Sequence, residues 1–450
     1  GLRARMAVGA LCGLVFYGFG LVWVTDFNVG GYVALAVAET CFLAAATALV
    51  PSGRSGRWTG GWWLLPAALV LMHAVQARFP FGGFPLPAVV HSQVDGPFVA
   101  AAPLGGSLLV TAAAAASGVA LAALVIHRGR RRLWTAGTAL VVAVGPVVAG
   151  AAVTTEQTAT LDVVVVQGGG PRGVRAVDTE SMDITERHLA VAESIGQPAD
   201  LVLLPENVAD VEGPIVGTDL DERFAELARD LDTHLVVGVT EGDGDGFHNS
   251  ALLWGPDGDL VGRYEKEHRV PFGEYIPWRG LIERLTDDTR FVPRDAVVGE
   301  GDALLDASGT PLGVVISYEV FFSDRVAEAV HDGGQIVLAP TNASSYVTDE
   351  VPSLELAATR IRAREFGRTV LLAAPTGYSA VVLADGDVVV RSALGEEELL
   401  TETVPLRSGL TPFAHVGDAP VIALAAALFL VPVLRQVRRT HGQRGSANTS

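Results

Sequence analysis

Six apolar runs decide most of what this chain can fold into. Five lie within the first 153 residues, at roughly 6–25, 30–50, 61–79, 99–126 and 133–153, and the sixth covers about 418–435. Each approaches or exceeds the roughly 20 residues that carry a helix across hydrocarbon. The stretch between the fifth and sixth runs has a different character. Acidic residues crowd it from Glu156 to Glu402, whereas the first 150 residues hold very few. At 49 % hydrophobic content and a net charge of −18, the chain is too apolar for one soluble domain and too charged for a membrane bundle alone. Two bodies are expected, one dissolved in lipid and one in water. The acidity of the water-soluble body argues against a nucleic-acid partner, whose phosphates it would repel.

Arginines orient the membrane part. Arg3 and Arg5 precede the first run, Arg54 and Arg57 follow the second, and Arg128, Arg130, Arg131 and Arg132 follow the fourth. Arg435, Arg438 and Arg439 close the sixth. Basic loops stay on the cytoplasmic side. That rule predicts a multi-pass protein of the cell membrane, with its central body on the extracytoplasmic side. The expected division is transmembrane helices over 1–153, a water-soluble domain over 154–417, a last span with a basic cytoplasmic end over 418–440, and a disordered tail over 441–450. The sequence opens at Gly1 with no initiator methionine, which raises the expectation of further residues upstream. Cys12 and Cys41 sit in apolar runs, give no disulfide or metal spacing, and read as small buried hydrophobes.

From 160 to 410, short β-branched runs alternate with amphipathic segments, a pattern of sheets covered by helices. Strands are predicted at Leu161–Gln167, Asp200–Leu204, His234–Thr240, Leu312–Ser317, Gln335–Ala339, Thr369–Ala374 and Ala380–Leu383. Helices are predicted near 179–195, 219–232, 322–332 and 352–366. Asp257-Gly258 and Asp385-Gly386 read as hairpin turns.

Lys266 is the single lysine among 32 basic residues. Arginine keeps its proton and cannot replace a compact ammonium, so Lys266 marks either a site that needs an amine or a chance survivor on the surface. Its neighbours bear on the choice. Leu203-Leu-Pro-Glu206 and Val314-Val-Ile-Ser317-Tyr-Glu319 each end an apolar strand with reactive groups, where α/β sheets present function. Taken singly, a glutamate at a strand end reads as a cap and a serine as unremarkable. A glutamate, a lysine and a hydroxyl nucleophile together are more specific.

With these residues in place, the chain resembles the apolipoprotein N-acyltransferase branch of the nitrilase, or carbon–nitrogen hydrolase, superfamily. Tyr264-x-Lys266-x-His268-x-Val-Pro-Phe-Gly-Glu274 is similar to the lysine motif, Pro205-Glu206 to the general-base motif, and Ile316-Ser-Tyr318-Glu319 to the nucleophile motif. Pro340-Thr-Asn342, Arg360-x-Arg362-x-x-Glu365, Gly409-Leu-Thr-Pro-Phe413 and His91-Ser-Gln93-Val-Asp95-Gly-Pro97 resemble further family stretches. The resemblance implies a multi-pass α-helical membrane domain plus an α/β nitrilase-like α-β-β-α sandwich domain. It also implies acyl transfer from a phospholipid acyl donor to an apolipoprotein acceptor, with no metal and no cofactor. The implied roles are Glu206 as base, Lys266 as oxyanion stabiliser and Ser317 as nucleophile. Glu274 would orient Lys266, Tyr318 and Glu319 would shape the acyl pocket, and Asn342 and His268 would bind substrate. Two departures stand out. The family carries cysteine where this chain has Ser317, and a family tryptophan is missing from Gly168–Arg175. Serine here is a trap for substrate, a natural divergence towards another chemistry, or the mark of a non-catalytic homologue. A hydroxyl is harder to ionise than a thiol, so the residue bears directly on rate.

Overall fold

The computed structural model describes residues 1–50, 61–173 and 181–430. Arg54, Arg57, the basic end at Arg435, Arg438 and Arg439, the tail 441–450 and the first two residues of the predicted 179–195 helix lie outside them. So do Arg175 and its neighbour at the end of the tryptophan-less stretch. The chain divides into two compact units, Gly1–Val153 with His415–Ser450, and Thr154–Ala414.

The first unit is helical: α1 (Leu2–Gly20), α2 (Val29–Leu49), α3 (Leu64–Gln76), α4 (Ala102–Ile126) and α5 (Gly129–Gly150). Of the described helices, α1, α2, α4 with its preceding turn, and α5 are long and apolar enough to cross a membrane; α3 and Ala419–Leu430 are shorter. The predicted span at 61–79 therefore shrinks to the 13 residues of α3, while the predicted 418–435 span is described only as far as Leu430. Arg130, Arg131 and Arg132 lie in the first turn of α5 rather than in a loop. Glycine permits the tightest packing. A Cβ on Gly13 would stand 3.0 Å from Thr40 Cα, so α1 and α2 meet through small residues, the usual mode where lipid supplies no hydrophobic drive. Gln76 Nε2 donates to Tyr17 Oη at 2.7 Å and to Glu39 Oε2 at 2.6 Å, tying α3 to α1 and α2. Cys12 and Cys41 are exposed on α1 and α2, not buried. The outer surface of a spanning helix is apolar too, so hydrophobicity alone did not separate a lipid-facing position from an internal one.

The second unit is a four-layer sandwich. Its strands are β1 (Glu156–Gln167), β2 (Leu201–Leu203), β3 (Ala209–Val211), β4 (His234–Asp243), β5 (Gly246–Trp254), β6 (Leu260–Glu265), β7 (Asp295–Ala296), β8 (Leu304–Ala307), β9 (Thr310–Val314), β10 (Ile336–Pro340), β11 (Val370–Ala373), β12 (Ala380–Val382), β13 (Val388–Arg391) and β14 (Glu398–Ser408). Its helices are α6 (Ser181–Glu193), α7 (Asp219–Leu231), α8 (Arg279–Ile282), α9 (Asp324–His331) and α10 (Glu350–Phe366), with the short α11 (Pro412–Val416) at its end. One sheet runs β14-β1-β2-β4-β5-β6, with β3 on β4 and β7 on β5; the other runs β13-β12-β11-β10-β9-β8.

Strands buried on both faces read as continuous apolar runs, and β1 shows why. Val163 and Val165 face the second sheet, packing with Leu203, Val314 and Leu338. Val164 and Val166 face outward, under Leu189 of α6 and Phe224 of α7. Helices α9 and α10 cover the other sheet. The order is α-β-β-α. β14 went unpredicted because its polar residues and Pro405 interrupt the apolar pattern, although its full length pairs with β1.

Candidate active site

Topology gathers the chemistry at one edge. β1, β2 and β4 are parallel, and β4-β5-β6 reverse twice, so β6 ends at the same edge as β2. Glu206 lies just beyond β2, Lys266 just beyond β6, and Asn249 near the start of β5. The turn carrying Glu206 lies so close on β4 that a Cβ on Gly238 would stand 2.3 Å from the Pro205 carbonyl oxygen.

These three residues and Glu274 form a closed polar cluster. Lys266 Nζ donates to Glu206 Oε1 at 2.9 Å and to Glu274 Oε1 at 2.7 Å. Asn249 Nδ2 donates to the same two oxygens, at 2.8 Å and 3.0 Å. The Lys266 backbone N–H is fixed on the Asn249 carbonyl at 2.8 Å. Glu274 Oε2 accepts from Val270 N at 2.7 Å, which fixes the carboxylate from its own loop. Lys266 is only 2 % exposed, so the surface reading of the lone lysine is excluded. Burial alone would lower its pKa, but Glu206 and Glu274 outweigh that and hold it above the usual lysine range. It stays an ammonium. Burial pushes the Glu206 carboxyl up, with Lys266 pulling it down and the like charge of Glu274 adding to the rise. A carboxylate of raised proton affinity is a better base than a free glutamate.

Ser317 sits three residues past β9 on a tight turn, with a left-handed φ of 51°. Such a conformation is costly for a residue with a Cβ and persists where the surroundings enforce it. Glu319 enforces it. Its Oε2 accepts from Ile316 N at 2.7 Å and from Tyr264 Oη at 2.6 Å, and its Oε1 accepts from Glu267 N at 2.8 Å and His268 N at 3.0 Å. The fully buried Glu319 thus ties the Ser317 turn to the backbone that follows Lys266. Both its oxygens are taken by internal donors, so it clamps the turn. Tyr264 in turn touches Arg325, whose guanidinium pairs with Glu267 and Glu328. Among the described residues, Ser317 Oγ has no hydrogen bond to Glu206 or Lys266.

The remaining predicted residues frame the site. Tyr318 is 7 % exposed and packs edge-on against Phe322, 5.1 Å between centroids. His268 stacks on the same ring at 4.6 Å and approaches Asp324 at 3.4 Å. Asn342 Nδ2 reaches Asn207 Oδ1 at 3.3 Å, which links the end of β10 to the residue after Glu206. The sequence reading missed Asn249, Tyr264 and Arg325 as parts of this cluster, and Glu355 on α10. No spacing rule exposes them, because each stands among other polar or charged residues of its own element, such as His248 and Ser250 around Asn249 or Asp324 and Glu328 around Arg325.

Comparison with known proteins identifies the family. The carbon-nitrogen hydrolase family model matches residues 163–409, more than half of the chain. The chain belongs to the carbon–nitrogen hydrolase, or nitrilase, superfamily. Residues 1–120 match the apolipoprotein N-acyltransferase N-terminal domain. It is similar to apolipoprotein N-acyltransferases from Mycolicibacterium smegmatis, with 30 % identity over 61 % of this chain and 49 % of that one, and from Methylococcus capsulatus, with 28 % identity over 97 % and 89 %. The chain thus spans about half the length of the first relative. Among solved structures, an amidase from Nesterenkonia sp. aligns at 21 % identity over 59 % of this chain and 97 % of its own, with a TM-score of 0.43.

Proposed function

We propose that the chain transfers a fatty acyl group from a membrane phospholipid to the terminal α-amine of a lipid-modified cysteine on an apolipoprotein, through an acyl ester on Ser317. The observation that carries this reading is the buried ammonium of Lys266, held between two carboxylates at 2.9 Å and 2.7 Å and joined through Glu319 to the Ser317 turn. Glu206 takes the Ser317 proton as Oγ bonds to the donor's ester carbon. Lys266 offsets the charge of the tetrahedral oxyanion. The lysophospholipid oxygen leaves with the proton from Glu206. The acceptor amine then attacks the acyl-serine, gives its proton to Glu206, and Ser317 Oγ recovers one. In this reading the water-soluble domain faces the extracytoplasmic side, which the arginine-rich connections between the apolar runs of the sequence support.

A second reading has one observation in its favour. Glu206 is engaged by Lys266 and Asn249 but not by Ser317, and a serine needs its base in contact. A catalytically impaired or redirected homologue would keep this fold and bind lipid or a partner, or act as an amidase on a small nitrogen compound. Incubation with labelled phospholipid and mass spectrometry of the peptide holding residue 317 separates the readings. An acyl adduct on Ser317 supports transfer. No adduct on the wild type but one on the Ser317→Cys variant makes the serine the lesion. No adduct on either rules out the acyl-transfer proposal.

A further inference from the structure

Glu355 is a buried carboxyl that the proposed chemistry leaves without a task. It lies on the inner face of α10, 4 % exposed, and accepts from Thr341 Oγ1 at 2.7 Å. Thr341 directly follows β10 and precedes Asn342, which contacts Asn207 beside Glu206. Glu355 therefore stands at the same sheet edge as the Lys266 cluster. We infer that Glu355 and Glu206 hold one proton between them near neutral pH, with Glu355 carrying it while Glu206 serves as the base.

The charge balance of the cluster points there. Glu206 and Glu355 are buried carboxyls and Glu274 a partly buried one at the same sheet edge, and both hydrogen bonds of the one ammonium, Lys266, go to Glu206 and Glu274. A third negative charge has no counter-ion, and like carboxylates in a shared low-dielectric site do not all ionise. Burial, opposed by Thr341 and assisted by the charge of Glu206, lifts Glu355 to about 7. The surroundings offer little else. Tyr346, in the loop between β10 and α10, is a buried phenol pushed above its usual range, chiefly by burial and then by Glu355. Glu319, on the 317–321 turn packed against α10, has both oxygens bonded, and Tyr318 of the same turn lies against Phe322. On α9, Arg325 is paired with Glu267 and Glu328, and His331 bonds the Ala414 carbonyl. β11 carries no titratable group, and neither does β12. Lys266 is the cation that reaches Glu355. Glu355 is thus a positioning residue that acts through Glu206.

The test reads the base directly and needs no lipid turnover. The thiol introduced by Ser317→Cys, in the detergent-solubilised chain with Cys12→Ala and Cys41→Ala, is alkylated by iodoacetamide from pH 5 to pH 9. The parent should show an upper step near neutral pH on its acid limb. Glu355→Gln should remove that step and leave the remaining limb in place, because a neutral amide replaces a carboxyl that is neutral over that limb. Glu355→Asp should retain the step. Thr341→Val should push it to higher pH, since the hydroxyl that favours the ionised form is lost. A Glu355→Gln profile that superimposes on the parent overturns the inference, as does a Thr341→Val profile with an unmoved step. The inference rests on the acyl-transfer reading only for its biological use. If these profiles behave as expected while wild-type Ser317 never gains an acyl adduct, the shared proton stands and that reading falls.

Discussion

The side-chain amide of Asn249 and the ammonium of Lys266 donate to the same two carboxylate oxygens, one on Glu206 and one on Glu274. A single cation faces two carboxylates, one buried and one partly buried, and the neutral amide supplies further donors without adding a proton that titrates. The second oxygen of Glu206 is used by neither donor. Asn249→Ala should slow acylation of residue 317 by roughly 10- to 100-fold, the usual cost of losing a group that orients a reacting one. Asn249→Asp should be worse, because it adds a negative charge to the cluster. Single-turnover labelling of both variants checks the order; equal rates would remove Asn249 from the site.

Lys266→Arg should abolish acyl transfer, since the fork cannot reproduce the two contacts of Nζ. Lys266→Met should do so too, by about 10²–10³-fold or more, and should destabilise the fold by about 3–5 kcal/mol by leaving the buried Glu206 carboxylate without a cation. Adding Glu274→Gln to Lys266→Met should recover part of the lost thermal midpoint but none of the activity. Recovery of activity would mean that the ammonium is structural only.

Glu319→Ala orphans four donors, Ile316 N, Tyr264 Oη, Glu267 N and His268 N, at about 1–3 kcal/mol each where no water replaces the carboxylate. Folded protein should be lost or nearly so. Tyr264→Phe, which removes one donor, should cost about 1–2 kcal/mol and leave the acylation rate within a few-fold. A stable Glu319→Ala variant would show that the Ser317 turn holds its left-handed conformation without the clamp.

Ser317→Cys should accelerate acyl-enzyme formation by at least about tenfold, because a thiol is a few per cent ionised at neutral pH whereas a hydroxyl needs its base throughout. The peptide holding residue 317 reports both adducts by mass.

Stability should depend on pH through Glu355. Its carboxyl lies at about 7 in the fold against an ordinary 4.5, so the folded state binds that proton more tightly than the unfolded chain. Its contribution is most favourable below the lower value, declines as pH rises between the two, and levels off above the higher one, a change of about 3 kcal/mol. Glu355→Gln should remove that slope, so the variant gains on the wild type between pH 5 and pH 8. Thermal midpoints at those two pH values decide it; a constant difference would refute the assignment.

Much of the molecule was legible without coordinates. Apolar runs marked the spans, and continuous β-branched runs marked the strands buried on both faces, because burial leaves the same imprint wherever it occurs. Where two environments share one chemistry, the imprint failed. Cys12 and Cys41 looked internal but are exposed on their helices. α3 looked like a full span but forms only 13 residues of helix, since an apolar segment need not be helical throughout. Glu206, Lys266, Glu274 and Ser317 were legible because each follows a buried strand or a dense motif.

What the sequence determined by itself is therefore the pair of bodies, the apolar strands and helices of each, and the residue types available for catalysis. Tertiary structure alone decided how those residues act. Only the double reversal of β4-β5-β6 brings Asn249 and Lys266 to Glu206, and only the Glu319 clamp joins the Ser317 turn to them. Hydrogen bonds and charges act over a few ångströms, whereas these residues are separated by up to 111 positions from Glu206 to Ser317 (317 − 206). Local pattern carries no record of such encounters, because they are set by how strands order themselves in a sheet.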